Sequence, residues 1–281
     1  MLNPADGADS RLVPAAPAGA AERVSMLRIG WIGFRTIVIR EYGRIMRIWG
    51  QTLAPAAVTT ILYLAIFGNL VGRRMGGLEG FSYLQYLAPA LIMMQVIINS
   101  YGNVVSSFFG AKFGKHVEEL LVSPLPNWLI VSGYMAGGLV RGTLVALVVS
   151  AVSLIFVRLP VQHPGAVIAA ALLTSAVFSL AGFINALFAR NFEQMNIIPT
   201  FVLTPLTYFG GTFYSINMLP GWAHRLSLAD PVLYMVNAFR YGFLGLSDVN
   251  VMASLGMMAA LVVALFAAAT ALLNRGVGVR E

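Results

Sequence analysis

Six apolar segments constrain the fold of this chain more than any other feature. Each is close to the ~20 residues that an α-helix needs to cross the hydrocarbon core of a bilayer. Only 10% of the 281 residues are charged, whereas soluble domains carry roughly 25%. The sequence therefore predicts an all-α, polytopic membrane protein with six transmembrane helices. We place the spans at about 52–71, 84–108, 128–156, 166–189, 197–216 and 250–273.

The composition excludes several kinds of site. The chain has no cysteine, so it forms no disulfide and offers no thiolate ligand or cysteine nucleophile. Its three histidines, His116, His163 and His224, are too scattered to predict a metal site. The net charge of +7 could indicate a nucleic-acid partner, but the basic residues lie beside the apolar segments. We therefore expect them to meet anionic membrane lipids, and we expect no nucleic acid to bind.

Two segments precede the first span of the transmembrane domain, which we assign to residues 51–281. Residues 1–24 are rich in Ala, Pro and Gly and have no apolar run as long as a signal peptide, so we expect a flexible, uncleaved tail. Residues 25–50 are predicted to form an amphipathic helix with opposed aromatic and basic faces, typical of a helix lying in the membrane interface or binding a partner. The aromatic and aliphatic stripe consists of Trp31, Val38, Tyr42, Ile45 and Trp49, and the basic face of Arg40, Arg44 and Arg47.

The basic residues beside the spans predict the orientation. With six spans both termini lie on one side, which carries 12 Lys and Arg, against 5, including Arg240, on the other. The side richer in Lys and Arg is normally cytoplasmic. Both termini and the loop after the second span are therefore expected in the cytoplasm.

The polar loop between the second and third spans predicts a short amphipathic helix over 110–123, ended by Pro124 and Pro126. Its apolar side consists of Phe113, Val117, Leu120 and Leu121, and its polar side includes Glu118 and Glu119. Such a helix can lie on the membrane, fit a groove on a soluble partner, or remain a solvated loop. The segment does not match a phosphate-binding loop, because its glycines are too close together and His116 replaces the Ser or Thr that would hold magnesium.

Residues 217–247 are too apolar to be free in water and contain no segment long enough to cross the membrane. We expect two interfacial or re-entrant helices that begin near Pro220 and Pro231, with their backbone covered by the rest of the protein.

Polar side chains form narrow stripes on two of the predicted spans. Gln95, Asn99 and Asn103 share a stripe on the second span. Thr200, Thr204 and Thr207 do so on the fifth, beside Tyr208. Polar groups in hydrocarbon need partners, so each stripe either hydrogen-bonds a neighbouring helix or lines a wet pathway.

The third span contains two pairs of glycines four residues apart, Gly133/Gly137 and Gly138/Gly142, which predict close helix contacts. It also contains Arg141, the only charge well inside a span. Placing arginine at the centre of a helix costs about 2.5–3.5 kcal/mol on the insertion scale. Arg141 could extend towards the cytoplasmic side or pair inside the bundle, and the sequence leaves both open.

Three stretches, Glu118–Pro126, Pro205–Ile216 and Asp230–Gly242, together with Leu219-Pro220, carry a resemblance to a known family. They resemble signature regions of the ABC-2 type transport permeases, most closely the inner-membrane permeases of bacteria. The match runs from about residue 27 to the C-terminus.

The resemblance implies a homodimeric exporter subunit of the bacterial inner membrane. A separate ABC ATPase subunit, in two copies, would bind ATP and magnesium, so this chain is expected to have no cofactor and no catalytic residue. The resemblance further implies that 110–123 is the coupling helix docking on the ATPase and that 25–50 is the interface helix beside it. The second and fifth spans would line the route at the dimer centre, and 217–247 would form the outer re-entrant helices.

Two other classes of function fit the sequence less well. A secondary carrier coupled to ions or protons would work without an ATPase, but the spans contain no Asp or Glu. An intramembrane enzyme would need a nucleophile with its base or a metal cluster, and neither is present in the sequence. The substrate itself is not readable: aromatic and methionine-rich spans suit amphiphilic drugs or lipids, and glycans remain open.

The predicted topology can be tested because the chain has no cysteine. We expect a Ser10→Cys variant to be protected from an impermeant maleimide added outside intact cells and to react after the cells are opened. Labelling in intact cells would overturn the orientation.

Overall fold

The computed structural model describes residues 26–70, 77–78 and 80–278, and these residues are almost all helical. The predicted tail, 1–24, lies outside the described residues. In chain order the elements begin with α1 (Met26–Arg47), α2 (Trp49–Leu70), β1 (Gly77–Leu78), β2 (Phe81–Ser82), α3 (Tyr83–Phe113), α4 (His116–Val122) and α5 (Asn127–Phe156). They continue with α6 (Pro164–Phe188), α7 (Phe192–Ile198), a π-helical segment (Pro199–Leu203), α8 (Thr204–Phe209), a 3-10 turn (Ile216–Met218), α9 (Gly221–Ala229), α10 (Pro231–Leu244) and α11 (Val251–Asn274).

Five of the described helices are long and apolar enough to cross a membrane: α2, α3, α5, α6 and α11. They coincide with the first, second, third, fourth and sixth predicted spans. The two short strands between α2 and α3 form an antiparallel hairpin, in which Gly77 pairs with Ser82 and Leu78 with Phe81.

The predicted fifth span, 197–216, has different bounds. Helical structure begins at Phe192, where the Asn191 side chain accepts a hydrogen bond from Gln194 N at 2.8 Å and caps the first turn. It ends at Phe209, before Gly210 and Gly211, and Gly211 has the positive φ of 70° that stops a helix. Within this run, Pro199–Leu203 is π-helical. A sixth crossing here remains a prediction.

Helix α3 is the centre of the bundle. Its first turn is fixed by a capping box, in which Ser82 and Gln85 bond each other's backbone N–H. Of the 18 most apolar consecutive residues of α3, 89% are buried. Helices α2, α5, α6 and α10 pack around it. In α11 only 11% of the equivalent 18 residues are buried, so this helix lies at the periphery.

The glycine pairs of α5 make the predicted close contacts, each with a different neighbour. A Cβ at Gly138 would overlap Ser179 of α6 and contact Val104 of α3. At Gly142, one residue after Arg141, it would overlap Ser100 of α3 and Ser175 of α6. The first pair receives α1, since a Cβ would lie 2.7 Å from Ile37 at Gly133 and 2.8 Å from Glu41 at Gly137.

The predicted interface helix is shorter than 25–50. Helix α1 ends at Arg47, and α2 begins at Trp49, three residues before the predicted first span. Trp31 and Trp49 are 65% and 63% exposed, as expected of side chains that meet lipid. Ile45, which the helical pattern placed on the same stripe, is buried against the bundle.

The segment 217–247 contains two helices whose starts confirm the proline signals. Helix α9 follows Pro220, and α10 begins with Pro231, where the Asp230 carboxylate accepts from Val232 N at 2.8 Å. Helix α10 is buried among α3, α6 and α11, so its backbone is covered by protein. Whether it enters the bilayer as a re-entrant helix remains a prediction.

Arg240 is not the loop cation that its place in the sequence indicated. It is 2% exposed on α10. Its Nη1 donates to the Tyr86 hydroxyl at 2.8 Å, and its Nη2 to Gly211 O at 2.7 Å. The Asp248 carboxylate lies 3.8 Å away and supplies a counter-charge. Arg240 therefore joins α10 to the start of α3 and to the loop after α8.

Replacing Arg240 by Met should destabilise the fold strongly. The change leaves Asp248 without its counter-charge and Gly211 O without its buried donor, and breaking a buried ion pair from one side typically costs about 3–5 kcal/mol. Thermal unfolding of the purified protein in detergent measures the effect. Arg225→Met is the matched control, because Arg225 on α9 is exposed. Equal midpoints for the two variants would show that Arg240 contributes no more than a surface arginine.

Candidate functional site

A cleft of about 430 Å³ lies between α2, α3, α5 and α8. We call it the polar cleft. Two of its walls are the polar stripes predicted from the sequence. A third wall comes from α2, which was not predicted to face a cleft. The lining residues are Gln51, Thr52, Pro55, Ala56, Thr59, Tyr63, Met94, Gln95, Ile98, Asn99, Arg141, Thr204, Thr207 and Tyr208.

The structure brings five of the seven predicted pathway residues to this cleft. They are Gln95, Asn99, Thr204, Thr207 and Tyr208. The stripes therefore face a common space, although they come from helices about one hundred residues apart in the chain.

The other two predicted pathway residues lie outside the cleft. Asn103, one turn beyond Asn99, is fully buried, and its side-chain oxygen accepts from Arg44 at 2.7 Å. Thr200 is exposed within the π-helical segment. A π turn changes the angular spacing of side chains, which explains why Thr200 departs from the stripe expected for a regular α-helix.

Arg141 reaches the cleft from α5 and pairs inside the bundle. Its Nη2 donates to Asn99 Oδ1 at 3.2 Å, and the Asn99 amide in turn donates to Gln95 O at 3.0 Å. Of the two possibilities that the sequence left open, the structure therefore shows pairing within the bundle.

Helix α2 contributes a wall that the sequence analysis missed. Gln51, Thr59 and Tyr63 line the cleft with Pro55 between them. The four residues recur every four positions, as expected of a stripe along one side of a helix. The sequence signal of a polar stripe is weak because one of the four is proline. The hydroxyls of Tyr63 and Tyr208 lie 3.3 Å apart across the cleft. The ring of Phe213 stacks on Tyr208 and contacts Tyr63, which places an aromatic cluster at this end of the cleft.

The predicted basic face of α1 is divided. Arg47 is exposed, and Arg40 contacts the Tyr134 hydroxyl at 3.4 Å. Arg44 turns inward and donates to Asn103 Oδ1 of α3 and, at 2.8 Å, to Glu41. Arg44 turns inward because the buried Glu41 requires a cation beside it. The role of the three arginines in an interface helix stays a prediction.

Glu41, 1% exposed, attaches α1 to the bundle. One carboxylate oxygen bonds Arg44, and the other accepts a short hydrogen bond from the Ser107 hydroxyl of α3. Its side chain rests on Gly137 of α5. Glu41 is the only acidic residue of α1, and its position three residues before Arg44 was the available signal.

The polar loop is not the single helix predicted over 110–123. Helix α3 extends to Phe113, Gly114 and Lys115 form a turn, and α4 begins at His116. Lys115 has a positive φ of 59°, so the chain changes direction there. Helical periodicity continued through the loop sequence and hid this break.

The break changes which side chains of the loop are free. Val117 is buried, and Leu120 and Leu121 pack partly buried against the core. Glu118 and Glu119 are exposed. Phe113 is 67% exposed, with its ring against Phe192 of α7. Three of the four predicted apolar anchors therefore hold α4 on its own chain, and Phe113 with the two glutamates face outward.

Comparison with known proteins decides the family. The model of the ABC-2 type transporter family matches residues 33–244. The chain belongs to this family. The match confirms the resemblance found in the signature regions. An ABC-2 family member is the membrane permease component of a transporter and implies an ABC ATPase partner; the family match identifies no ATPase domain in this chain.

Individual relatives agree with the family match. The chain is 48% identical over 256 residues to the inner membrane transport permease YadH of Escherichia coli (strain K12), covering 91% of this chain and all of the relative. It is 25% identical over 274 residues to nodulation protein J of Rhizobium meliloti (strain 1021), covering 94% of this chain and 97% of the relative. Nodulation protein J of Rhizobium leguminosarum bv. viciae is 22% identical over 263 residues.

Proposed function

We propose that this chain is the permease subunit of an ATP-driven exporter in the bacterial inner membrane. Two copies of the chain form the pathway with two copies of a separate ATPase, and both termini face the cytoplasm. The transported molecule is an amphiphile, lipid or glycan taken from the cytoplasm or the inner leaflet. Similarity to an inner membrane transport permease supports the location, and the resemblance of the signature regions supports the direction.

The observation that carries the proposal is the course of α3. This buried helix carries Gln95 and Asn99 in the wall of the polar cleft. About four turns after Asn99 it ends at Phe113, and α4 follows after two residues. A movement imposed on α4 by an ATPase would therefore reach the cleft along one continuous, tightly packed helix.

Exposed apolar side chains around the cleft favour the binding of a second copy of the chain at this surface. Phe201 is 73% exposed beside the cleft wall, and Ile98 and Tyr208 are also exposed. Apolar surface of this kind needs either lipid or protein cover. A second copy placed here would close the cleft into a central route, and the exposed Trp31 of α1 would remain in contact with membrane lipids.

The cleft is expected to act on substrate rather than only to hold helices together. Asn99→Leu combined with Thr204→Leu should change substrate-stimulated ATP hydrolysis several-fold, because it replaces a polar group on each facing wall. Lipids, amphiphilic drugs and lipid-linked glycans are tested on the reconstituted complex. Asn196→Leu with Thr200→Leu is the matched control, since both residues are exposed outside the cleft. Loss of assembly in the cleft variant, or equal effects in both, would contradict a transport role.

The coupling role of α4 is expected to depend on its exposed carboxylates, because its apolar residues already pack on the bundle. Charge-assisted contacts contribute about 1.5–3 kcal/mol each when desolvated and much less when exposed. Glu118→Arg with Glu119→Arg should therefore weaken ATPase binding at least about tenfold, or uncouple hydrolysis from substrate, while the permease still inserts and dimerises. Co-purification of the ATPase and substrate-stimulated hydrolysis are measured together.

Glu193→Arg serves as the control for this variant, since Glu193 is also exposed and belongs to α7, whose Phe192 contacts the end of α3. Wild-type binding and coupling in the α4 variant would mean that α4 is only a solvated helix. An equal loss in the control would mean that general surface charge, and not α4, attracts the ATPase.

A further inference from the structure

Arg141 lies near the middle of its helix, far from both ends. It is about 14 residues from Asn127 and about 15 from Phe156, the ends of α5, so each end is roughly 21 Å away at 1.5 Å per residue. The guanidinium group instead points to the polar cleft, where it bonds Asn99. A cation at this depth is normally neutralised by a nearby anion.

No such anion is found in the part of the chain that the structure describes. Arg141 has no carboxylate within 4.0 Å among these residues. The Glu41 carboxylate is already bonded by Arg44 and Ser107.

A second copy of the chain would not supply the missing charge from its spans. None of the six predicted spans, nor α10, contains Asp or Glu. Asn99 accepts a hydrogen bond from Arg141 through Oδ1 but carries no charge. Neither the described residues nor the predicted spans neutralise Arg141, which leaves a place in the cleft for a counter-charge from outside the polypeptide.

The surroundings of Arg141 suit an anionic amphiphile. Gln51, Thr59 and Gln95 supply neutral polar groups to the cleft, which suit the oxygens of a charged group. Pro55, Met94 and Ile98 supply apolar walls for an attached chain or ring. A volume of about 430 Å³ lies in the range of small-molecule sites, roughly 300–1,000 Å³.

We propose that Arg141 determines the specificity of the cleft by pairing with an anionic group, such as a carboxylate, phosphate or sulfonate, on the transported amphiphile. The inference rests on the proposed transport function and adds the charge of the substrate. Substrate brings the counter-ion, and a neutral molecule of the same shape leaves the buried cation unpaired and binds more weakly.

The test compares two probes that differ only in charge. A dansyl-labelled alkyl sulfonate and the corresponding dansyl-labelled alcohol are titrated against the permease alone in phosphatidylcholine nanodiscs, with empty nanodiscs correcting for partitioning. The wild type should bind the sulfonate at least about tenfold more tightly than the alcohol. Arg141→Met should remove this preference and leave alcohol binding within about twofold, whereas Arg141→Lys should retain most of it. Arg158→Met, which removes an exposed arginine just after α5, should keep the wild-type preference.

Equal binding of both probes by the wild type would overturn the proposal, whatever the variants do. A preference that survives in Arg141→Met, or disappears equally in Arg158→Met, would also overturn it. Each of these results leaves the exporter function intact, because the measurement needs no ATPase. Conversely, failure of the permease to bind or stimulate an ATPase would refute the exporter function without changing the probe affinities.

Discussion

Lipid offers no hydrogen bonds and little hydrophobic driving force between helices, so the bundle depends on close packing at small residues. The decisive contacts are those of Gly138 and Gly142 on α5 and of Gly182 on α6. A Cβ at Gly182 would lie 2.6 Å from Tyr101 O, so α6 touches the backbone of α3 there. This approach of α5 and α6 buries α3. That packing positions the parts attached to α3. They are the wall of the polar cleft, helix α1 and the turn that leads to α4.

Three arginines in the bundle differ in whether a carboxylate lies beside them. Arg240 is enclosed by a hydroxyl, a carbonyl and a carboxylate, and it has a structural role. Arg44 is neutralised by Glu41 and attaches α1 to α3. Arg141 bonds an amide oxygen but has no carboxylate beside it within the described part of the chain, and it borders an open cleft. The difference among these three arginines is the reason for assigning structure to two of them and substrate binding to the third.

Much of the fold could be predicted from the sequence because hydropathy and proline signals act locally. Five spans, the starts of α9 and α10, and the glycine contacts of α5 follow from residues that are close in the chain. The facing of Gln95 and Asn99 with Thr204 and Thr207 could also be anticipated, since buried polar stripes need a common space. The family could be recognised from three short stretches.

The remaining features depend on contacts between distant residues. Nothing near Arg240 in the sequence shows that Tyr86 and Gly211 enclose it. The turn at Gly114 and Lys115 interrupts a periodic pattern that continues through it. The sequence therefore did not show that most of the apolar side of α4 packs on its own bundle. Thr200 left its stripe because of the π-helical segment, which the α-helical spacing assumed in the sequence analysis could not show.

The central claim is that events at α4 change the polar cleft through α3. It can be measured without knowing the substrate, by the rate at which a maleimide modifies a single cysteine placed at Thr204 in the permease–ATPase complex. A cysteine at Val263, 70% exposed on α11 and far in sequence from the cleft, is the reference. The account predicts a several-fold change in the rate at Thr204, and none at Val263, between the nucleotide-free complex and the complex trapped with ATP and vanadate. Identical rates at Thr204 in both states would contradict it.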